Sequence, residues 1–394
     1  MGVSDGPLTG IRVLDLSRVL AGPWATQLLA DLGAEVIKIE RHGEGDDTRG
    51  WGPPFHGDPA DGRSAYFLSA NRGKQSVTLD LANPAGQEAV RRLAATSDVL
   101  IENFRTGGLA AYSLDYPSLS PANPRLVYCS ITGFGHTGPL ASRAGYDVLI
   151  QGMGGLMSVT GDVDGPPTKV GVAIVDVMTG LYAANAIQAA LIERARSGLG
   201  QHIDLALFDV QLATLANQAA NHLIGGTTPG RLGNAHPSIV PYQTFATADG
   251  HVIVAVGNDA QYARYAAACG LAPDPRFARN ADRVRLRATL VPHLAHAMAL
   301  RTTAAWIATL EPLGVPCGPV NDVAQALAEP QAVARGMVVE ADGVRAVGTP
   351  LRFSRSVTAD PSWPDLGQHT EAVLTRLLGA DAVSDLRRRG AFSP

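Results

Sequence analysis

The sequence predicts an α/β fold, with a large domain built on a parallel sheet and a smaller α+β domain beside it. Three observations carry this. Strand-length apolar runs alternate with segments of helical spacing through the first half of the chain; the 394 residues exceed what one compact core usually takes; and near residue 225 a Gly/Pro-rich connection leads into a hairpin.

In chain order, "GIRVLDLS" is an apolar strand, "GPWATQLLADLGA" carries helical spacing and stops at Gly33, and "EVIKIER" is a second strand, which together make a βαβ unit. The pattern repeats with "QSVTLDL", a helix opened by Asn83 as N-cap with Pro84 in its first turn, and "VLIENF". A further strand, "RLVYCSIT", follows. Such a sheet gathers ligands at the carboxyl ends of its strands. Beyond Gly161 the spacing predicts a long helix to about Arg196, a strand "QHIDLAL" and another helix to about Ile224. "GGTTPGRLGNAHPSIVP" is then a connection, "YQTFATADGHVIVAVG" a hairpin turning at Asp249 and Gly250, and "MVVEADGVRAVGTPLRFS" a second hairpin. The expected boundaries are a large domain over 1–224, a small α+β domain over 225–330, and a segment over 331–394 whose amphipathic helices return to the large domain.

Composition narrows the function classes. Hydrophobic residues make up 46% and charged residues 17%, which suits a soluble globular chain, and a net charge of −4 provides no basic footprint for nucleic acid or an anionic membrane. Cys129, Cys269 and Cys317 lie far apart with no CxxC pair, so neither a disulfide framework nor a zinc site is expected and a reducing, cytoplasmic setting is. The start "MGVSDGPLTG" lacks the regions of a signal peptide, and no uninterrupted apolar run approaches the ~18 residues of a membrane span.

Several motifs are read in the bland sense. "GFGHTG", Gly133–Gly138, satisfies GxGxxG after a strand, but Pro139 and "LASRAG" open no helix and no acid follows at the spacing that holds a ribose, so it reads as a glycine turn that admits another backbone. No serine stands in G-x-S-x-G, which removes the hydrolase elbow. His293 with His296, and His202 with Asp204, lack a third ligand, and Cys317 lacks a neighbouring histidine, so no metal is implied.

Asp176 is different. It sits in "KVGVAIVDVMTGLYAANAI", otherwise apolar and small. Two accounts stay open on the residues alone: aspartate is a favoured helix N-cap, and a carboxylate can act as a covalent nucleophile toward an activated acyl group. Free aspartate, with a pKa of about 3.9, is charged at neutral pH. Gly180, Ala183, Ala184 and Ile187 follow at helical spacing on one side, a shallow surface along which something slender could lie.

These blocks resemble the family III (CaiB/BaiF-type) CoA-transferases, which include formyl-CoA transferase and carnitine CoA-transferase, with α-methylacyl-CoA racemase as a divergent branch. The likeness runs nearly end to end, through "GIRVLDLSRVLAGPWATQLLADLGAEVIKIE", "GDDTRGW", "YFLSANRGKQSVTLDL", "VLIENFR", "SITGFGHTGP", "GYDVLIQGMGGLMSVTG", "DGPPTKVGVAIVDVMTGLYAANAIQAAL" and "GVPCGPVND". It implies a Rossmann-like large domain, an interlocked homodimer, and coenzyme A and acyl-CoA as substrates without a metal. It also implies that Asp176 attacks a donor acyl-CoA to form a mixed anhydride, becomes an aspartyl-CoA thioester, and passes CoA to an acceptor carboxylate. By the same resemblance Leu20, Ala21, Arg41 and Leu79 match positions lining CoA, Asn103, Phe104 and Arg105 match CoA contacts, and Tyr146 and Asp147 match a segment facing the thioester.

The chain departs from the family pattern in two places. "RTGGLAAYSL" has Ala111 and Tyr112 where an Arg-Met pair often stands, and "GGTTPGRLGNAHPSIVPY" replaces the consecutive glycines of the formyl-CoA branch, which turns the expectation from oxalate or formate toward a succinyl-CoA type donor and a dicarboxylate or hydroxy-acid acceptor. Asn234 and His236 are candidates either for an acceptor carboxylate or for turn formation. The competing functions are racemisation of a 2-methylacyl-CoA, with Asp176 as base, and a non-catalytic CoA-binding protein. The racemase branch usually has histidine where Tyr146 stands.

Overall fold

The computed structural model describes residues 6–392 and divides into two compact units. The first takes the described residues through Leu156, then Val170–Ala219, then those from Gln331 onward; the second is Met157–Lys169 with Ala220–Pro330.

In the first unit the order is β1 (Arg12–Asp15), α1 (Ala21–Asp31), β2 (Glu35–Glu40), α2 (Ala65–Ala70), β3 (Lys74–Thr78), α3 (Pro84–Ala94), β4 (Val99–Glu102), α4 (Tyr116–Leu119), β5 (Val127–Thr132) and α5 (Asp147–Met153). All but the first residue of α6 (Leu156–Val159) falls in the second unit; the first resumes with α7 (Ile174–Ser197), β6 (His202–Ala206) and α8 (Leu207–Thr214), and α9 (Asn217–Gly225) passes from it into the second after Ala219. The six strands lie in the order β3-β2-β1-β4-β5-β6, every neighbouring pair parallel. This is the doubly wound order, and its direction reverses between β1 and β4, where such sheets open a crevice for a ligand. The apolar runs of β1 to β5 have a simple cause: both faces are buried. Val13, Val36, Val99, Ile101 and Cys129 join α1 and α7 in one core cluster, while Leu14, Ile37, Leu100 and Tyr128 join α3 and the C-terminal helices α16 (Thr370–Leu378) and α17 (Ala380–Arg388) in the other.

Local signals work as the residues suggest. The Asn83 side chain accepts from Ala85 N at 2.8 Å and Pro84 opens α3, while Gly33 follows α1 at φ +93°, a conformation that favours glycine. Two expectations shift. The long helix starts at Ile174, not near Gly161, because Gly165, Pro166, Pro167 and Gly171 keep the intervening chain from coiling. The expected single helix to Ile224 breaks into α8 and α9 around Ala216, at φ +47°. By length and hydropathy α7 passes the test for a membrane span, contrary to the sequence reading. In the fold it is a core helix: Val175, Ala183, Ala184, Ile187 and Ala190 are buried, and Arg194 donates to Asp98 Oδ1 at 2.8 Å and Arg125 O at 2.9 Å.

In the second unit β7 (Tyr242–Ala246) and β8 (His251–Ala255) form the expected antiparallel hairpin, its turn closed by Thr247 N donating to Gly250 O at 2.9 Å. A third strand, β9 (Cys317–Pro319), pairs with β8 and was not expected, because the prolines and glycine of "VPCGP" mask its strand character. The helices α10 (Asp259–Ala268), α11 (Asn280–Arg285), α12 (Arg287–Met298), α13 (Thr303–Leu310) and α14 (Val323–Ala328) complete it around Phe245, Tyr265, Leu290, Leu294 and Trp306. Returning to the first unit, α15 (Pro330–Ala334) precedes the second expected hairpin, β10 (Val338–Ala341) with β11 (Val344–Val347).

Candidate active site

The site begins where the sheet reverses. Leaving β1, the chain is held from both sides: Asn103, just past β4, donates from Nδ2 to Arg18 O at 2.7 Å and accepts at Oδ1 from Arg18 N at 2.9 Å. The next residue, Val19, has φ +71°, which strains a β-branched side chain. Its N–H donates to Asp46 Oδ1 at 3.3 Å. Beneath lies a buried charge network in which Lys38 Nζ is 2.9 Å from Asp46 Oδ2 and Lys74 Nζ is 3.1 Å from Asp15 Oδ2, all four side chains fully buried. Burial would raise Asp46, but the Lys38 ammonium together with hydrogen bonds from Lys38 and Thr48 outweighs it and holds the carboxyl down at about 2. Every charge here has an opposite partner, which is the condition for keeping it out of water.

That strained corner fixes Leu20 and Ala21 at the start of α1 with both side chains buried, so what they can offer a ligand is mainly backbone. Asn103 is thus a brace for the corner. Asn103→Ala is expected to remove two hydrogen bonds at about 1 kcal/mol each and to lower the melting temperature accordingly, as scanning calorimetry will read.

The other predicted positions are spread around this end of the sheet. Arg41 follows β2 and is exposed, ion-paired with Glu44. Leu79 is 1% exposed and packed in the core, as an ordinary apolar residue would be. Phe104 is half-buried with the Arg18 guanidinium 5.6 Å from its ring centroid, and Arg105 is exposed. Tyr146 is 65% exposed at the residue before α5. The "GFGHTG" turn has the bland role: a Cβ on Gly133 would lie 2.7 Å from Gly145 Cα, so the missing side chain lets the segment leading to Tyr146 and Asp147 press against the end of β5.

Asp176 is not the helix cap. It is the third residue of α7, and the cap comes from Asp147 on α5, whose Oδ1 accepts from Val175 N at 2.8 Å and from Asp176 N at 3.3 Å. Asp147 Oδ2 accepts from Gln151 Nε2 at 2.6 Å, and Gln151 Oε1 accepts from Val170 N at 2.9 Å, so the chain entering α7 is tied to α5 as well. Burial, then the nearby Asp147 carboxylate, push Asp176 up to about 7. Asp176 is therefore a stronger base than free aspartate, and only part of it is ionised at neutral pH.

Tyr66 on α2 belongs to the same neighbourhood and sequence reasoning missed it. Burial, then Asp176, Asp147 and Asp46 in that order, push its hydroxyl up to about 12, and its ring meets Trp51 edge-on at 5.2 Å. Tyr66 opens the block "YFLSANRGKQSVTLDL", but no spacing links it to an aspartate 110 positions later.

The small-residue stripe has a different use from the one expected. Gly180, Ala183, Ala184 and Ile187 are buried in the α1–α7 interface, and a Cβ on Gly180 would lie 2.8 Å from Ala21 O and 2.9 Å from Trp24 Cδ1. The stripe lets two helices approach; it leaves no channel for a slender ligand. In the second unit Asn234 Nδ2 donates to Thr244 Oγ1 at 2.9 Å and His236 Nδ1 accepts from Ser238 N at 3.0 Å, both local turn contacts. His202 and Asp204 line a cavity of about 330 Å³ on the sheet face away from α7, with Ser130 Oγ 3.0 Å from His202 Nε2. Among the described residues no group of three or more His, Cys, Asp or Glu is arranged to hold a metal ion.

Residues 8–370 match the family model for CoA-transferase family III. The chain is 51% identical to the succinate–glutarate CoA-transferase of Agrobacterium fabrum, over 94% of this chain and 96% of that one. It is 42% identical to the human succinyl-CoA:glutarate CoA-transferase, over 98% and 89%. A crystal structure of a CAIB/BAIF family protein from Brucella suis superposes with a TM-score of 0.86 at 52% identity, covering 95% of this chain and all of the other.

Proposed function

The chain belongs to CoA-transferase family III, and from that premise we propose that it transfers CoA from succinyl-CoA to glutarate or a closely related dicarboxylate, with Asp176 as the nucleophile. The observation that carries the role of Asp176 is its setting: a part-buried carboxyl in the first turn of α7 that another residue already caps, which leaves its own oxygens free for chemistry.

The steps need no metal. An ionised Asp176 oxygen attacks the succinyl thioester carbonyl, the C–S bond breaks, and CoA leaves as thiolate. The thiolate then attacks the Asp176 carbonyl of the anhydride, releasing succinate and leaving an aspartyl-CoA thioester. An acceptor carboxylate displaces the thiolate to give a second anhydride, and the thiolate attacks its acyl carbon, which releases the new CoA ester and restores Asp176.

The crevice between β1 and β4 is the proposed CoA site. Leu20, Ala21 and Leu79 contribute mainly backbone, Asn103 holds the crevice open, Phe104 and Arg105 stand beside it, and Arg41 reaches phosphate or adenine from β2. Tyr146 and Asp147 stand at the thioester end. Racemisation would need a second base, and a phenol at Tyr146 serves poorly as one. The proposed setting is the cytoplasm, consistent with three unpaired cysteines. The proposed assembly is a homodimer, for which exposed Leu181, Tyr182 and Ile192 on α7 provide an apolar face.

Hydroxylamine trapping tests the function. Incubation with succinyl-CoA is expected to convert Asp176 to a hydroxamate, located by peptide mass spectrometry. CoA exchange into glutarate without any Asp176 adduct would reject the covalent route, and exchange of the α-hydrogen of a 2-methylacyl-CoA with solvent would favour the racemase instead.

A further inference from the structure

We propose that Asp147 is a positioning residue for the nucleophile: its carboxylate ties down the first turn of α7 and sets a fixed negative charge beside Asp176 that formation of the acyl-enzyme relieves. This rests on Asp176 being the acyl acceptor.

The geometry assigns the Asp147 side chain to α7. Both oxygens are engaged, Oδ1 by the Val175 and Asp176 N–H groups and Oδ2 by the Gln151 amide. Gln151 is itself fully buried and held by Val170 N, so the carboxylate cannot swing away without breaking a chain of contacts that runs from α5 to the entry of α7. One group therefore does two things. As an acceptor it satisfies N–H groups that α7, opened by Ala173, has no cap of its own to satisfy. As an anion it repels the Asp176 carboxylate.

The repulsion favours reaction in a definite direction. When an Asp176 oxygen bonds to the acyl carbon, the C–S bond breaks and its electron pair leaves on the CoA sulfur, with no proton gained or lost. The negative charge moves from Asp176 to the departing thiolate, and the anhydride beside Asp147 is formally neutral. A neighbouring anion thus raises the energy of the free carboxylate while leaving the acylated form unaffected, and it also makes the carboxylate more basic and more nucleophilic.

The Asp147 carboxylate is the charge acting on Asp176. Tyr66 on α2 is neutral across the working range, and the charges acting on it are Asp176, Asp147 and Asp46. On α1, Asp31 is spent on Arg72, with Arg72 Nη2 2.6 Å from Asp31 Oδ2; on α8, Asp209 is exposed; on β5, Cys129 is buried and held well above its usual value by burial, then Glu102 and Asp204. On β6, His202 and Asp204 line the cavity on the other sheet face, and α7 itself carries only Glu193, Arg194 and Arg196, in its last turns.

Asp147→Asn separates the charge from the cap: its amide oxygen can still accept from Val175 and Asp176 while the charge is gone, and its NH2 group, set against the Gln151 amide donor, gives up only that one contact. The expected result is a melting temperature slightly below wild type, an acid limb for single-turnover CoA release from succinyl-CoA displaced by about one pH unit toward acid, and a several-fold smaller fraction of trapped Asp176 adduct at equilibrium. Asp147→Ala is expected to show the same acid displacement together with a lower melting temperature. An Asp147→Asn enzyme with a wild-type acid limb and adduct fraction overturns the proposal. So does one altered only in KM for acyl-CoA, which makes Asp147 a ligand contact. Carboxyl-carbon NMR of Asp176 in the two backgrounds is read without turnover: if its midpoint falls in Asp147→Asn while wild type forms no adduct, the charge coupling stands and the covalent function fails.

Discussion

Asp176→Asn is expected to lower CoA transfer by on the order of 10³-fold or more and, above pH 7, to raise the melting temperature. The first effect follows from removing the only atom proposed to bond to the acyl group; the amide keeps the shape of the carboxyl and loses its nucleophilicity. The second follows from linkage. The folded value of Asp176, about 7, lies above the ordinary 3.8, so folding favours the neutral form. That contribution is complete below about pH 3.8 and is lost as pH rises through about 7, beyond which a charged carboxylate is held part-buried beside Asp147. Asparagine never ionises. Its melting temperature should match wild type below about pH 3.8 and exceed it at pH 8 by a few degrees, roughly what 1 kcal/mol produces in a chain of this size. Scanning calorimetry at the two pH values, alongside a CoA-exchange assay, checks both. An inactive variant with no stability gain at pH 8 would mean that Asp176 is ionised in the folded protein without penalty.

The second large effect is expected at Gly180, one turn beyond Asp176. Gly180→Val puts branched carbon where the nearest atoms are the Ala21 carbonyl oxygen at 2.8 Å and Trp24 Cδ1 and Cβ at 2.9 and 3.0 Å, the first of them backbone. Overpacking of this kind costs about 1–3 kcal/mol and more where backbone must shift. The displaced helices are those that carry Asp176 and the strained corner at Val19, so activity should fall with stability. Gly171→Ala is the control, because nothing lies within 4 Å of a Cβ there. A Gly180→Val enzyme that melts and turns over like wild type would show that α1 and α7 are free to separate.

How much of this was legible in the sequence differs by the range of the interaction. Strands buried on both faces announce themselves as apolar runs, and Asn83-Pro84 and Asp249-Gly250 mark an end and a turn by local chemistry, so the sheet and hairpins could be read in order. Asp176 stood out because a charge among apolar residues needs a reason. What could not be read was who caps α7. The donor groups and Asp147 are 28 and 29 positions apart and meet only because Gly133 and Gly145 let two backbones touch. The same limit hid Tyr66, and it misdirected the reading of the small residues after Asp176: periodicity shows that Gly180, Ala183 and Ala184 share a face, but whether that face meets a ligand or another helix is decided by α1. The third strand at Cys317 was masked by its own prolines.

The strand β3 has no strand beyond it, and the chain closes that border from far away. His369 N donates to Ser76 O at 2.9 Å and His369 Nδ1 accepts from Ser76 N at 3.2 Å, while Thr370 Oγ1 accepts from Thr78 N at 3.0 Å. These partners are about 290 residues later in the chain, so β3 has been made long before they emerge from a ribosome. Until then the growing polypeptide carries an open strand margin, the kind of surface to which another strand adds. Solubility during synthesis therefore depends on how long that margin waits for residues 367–370, a vulnerability of the nascent chain that the finished molecule no longer displays.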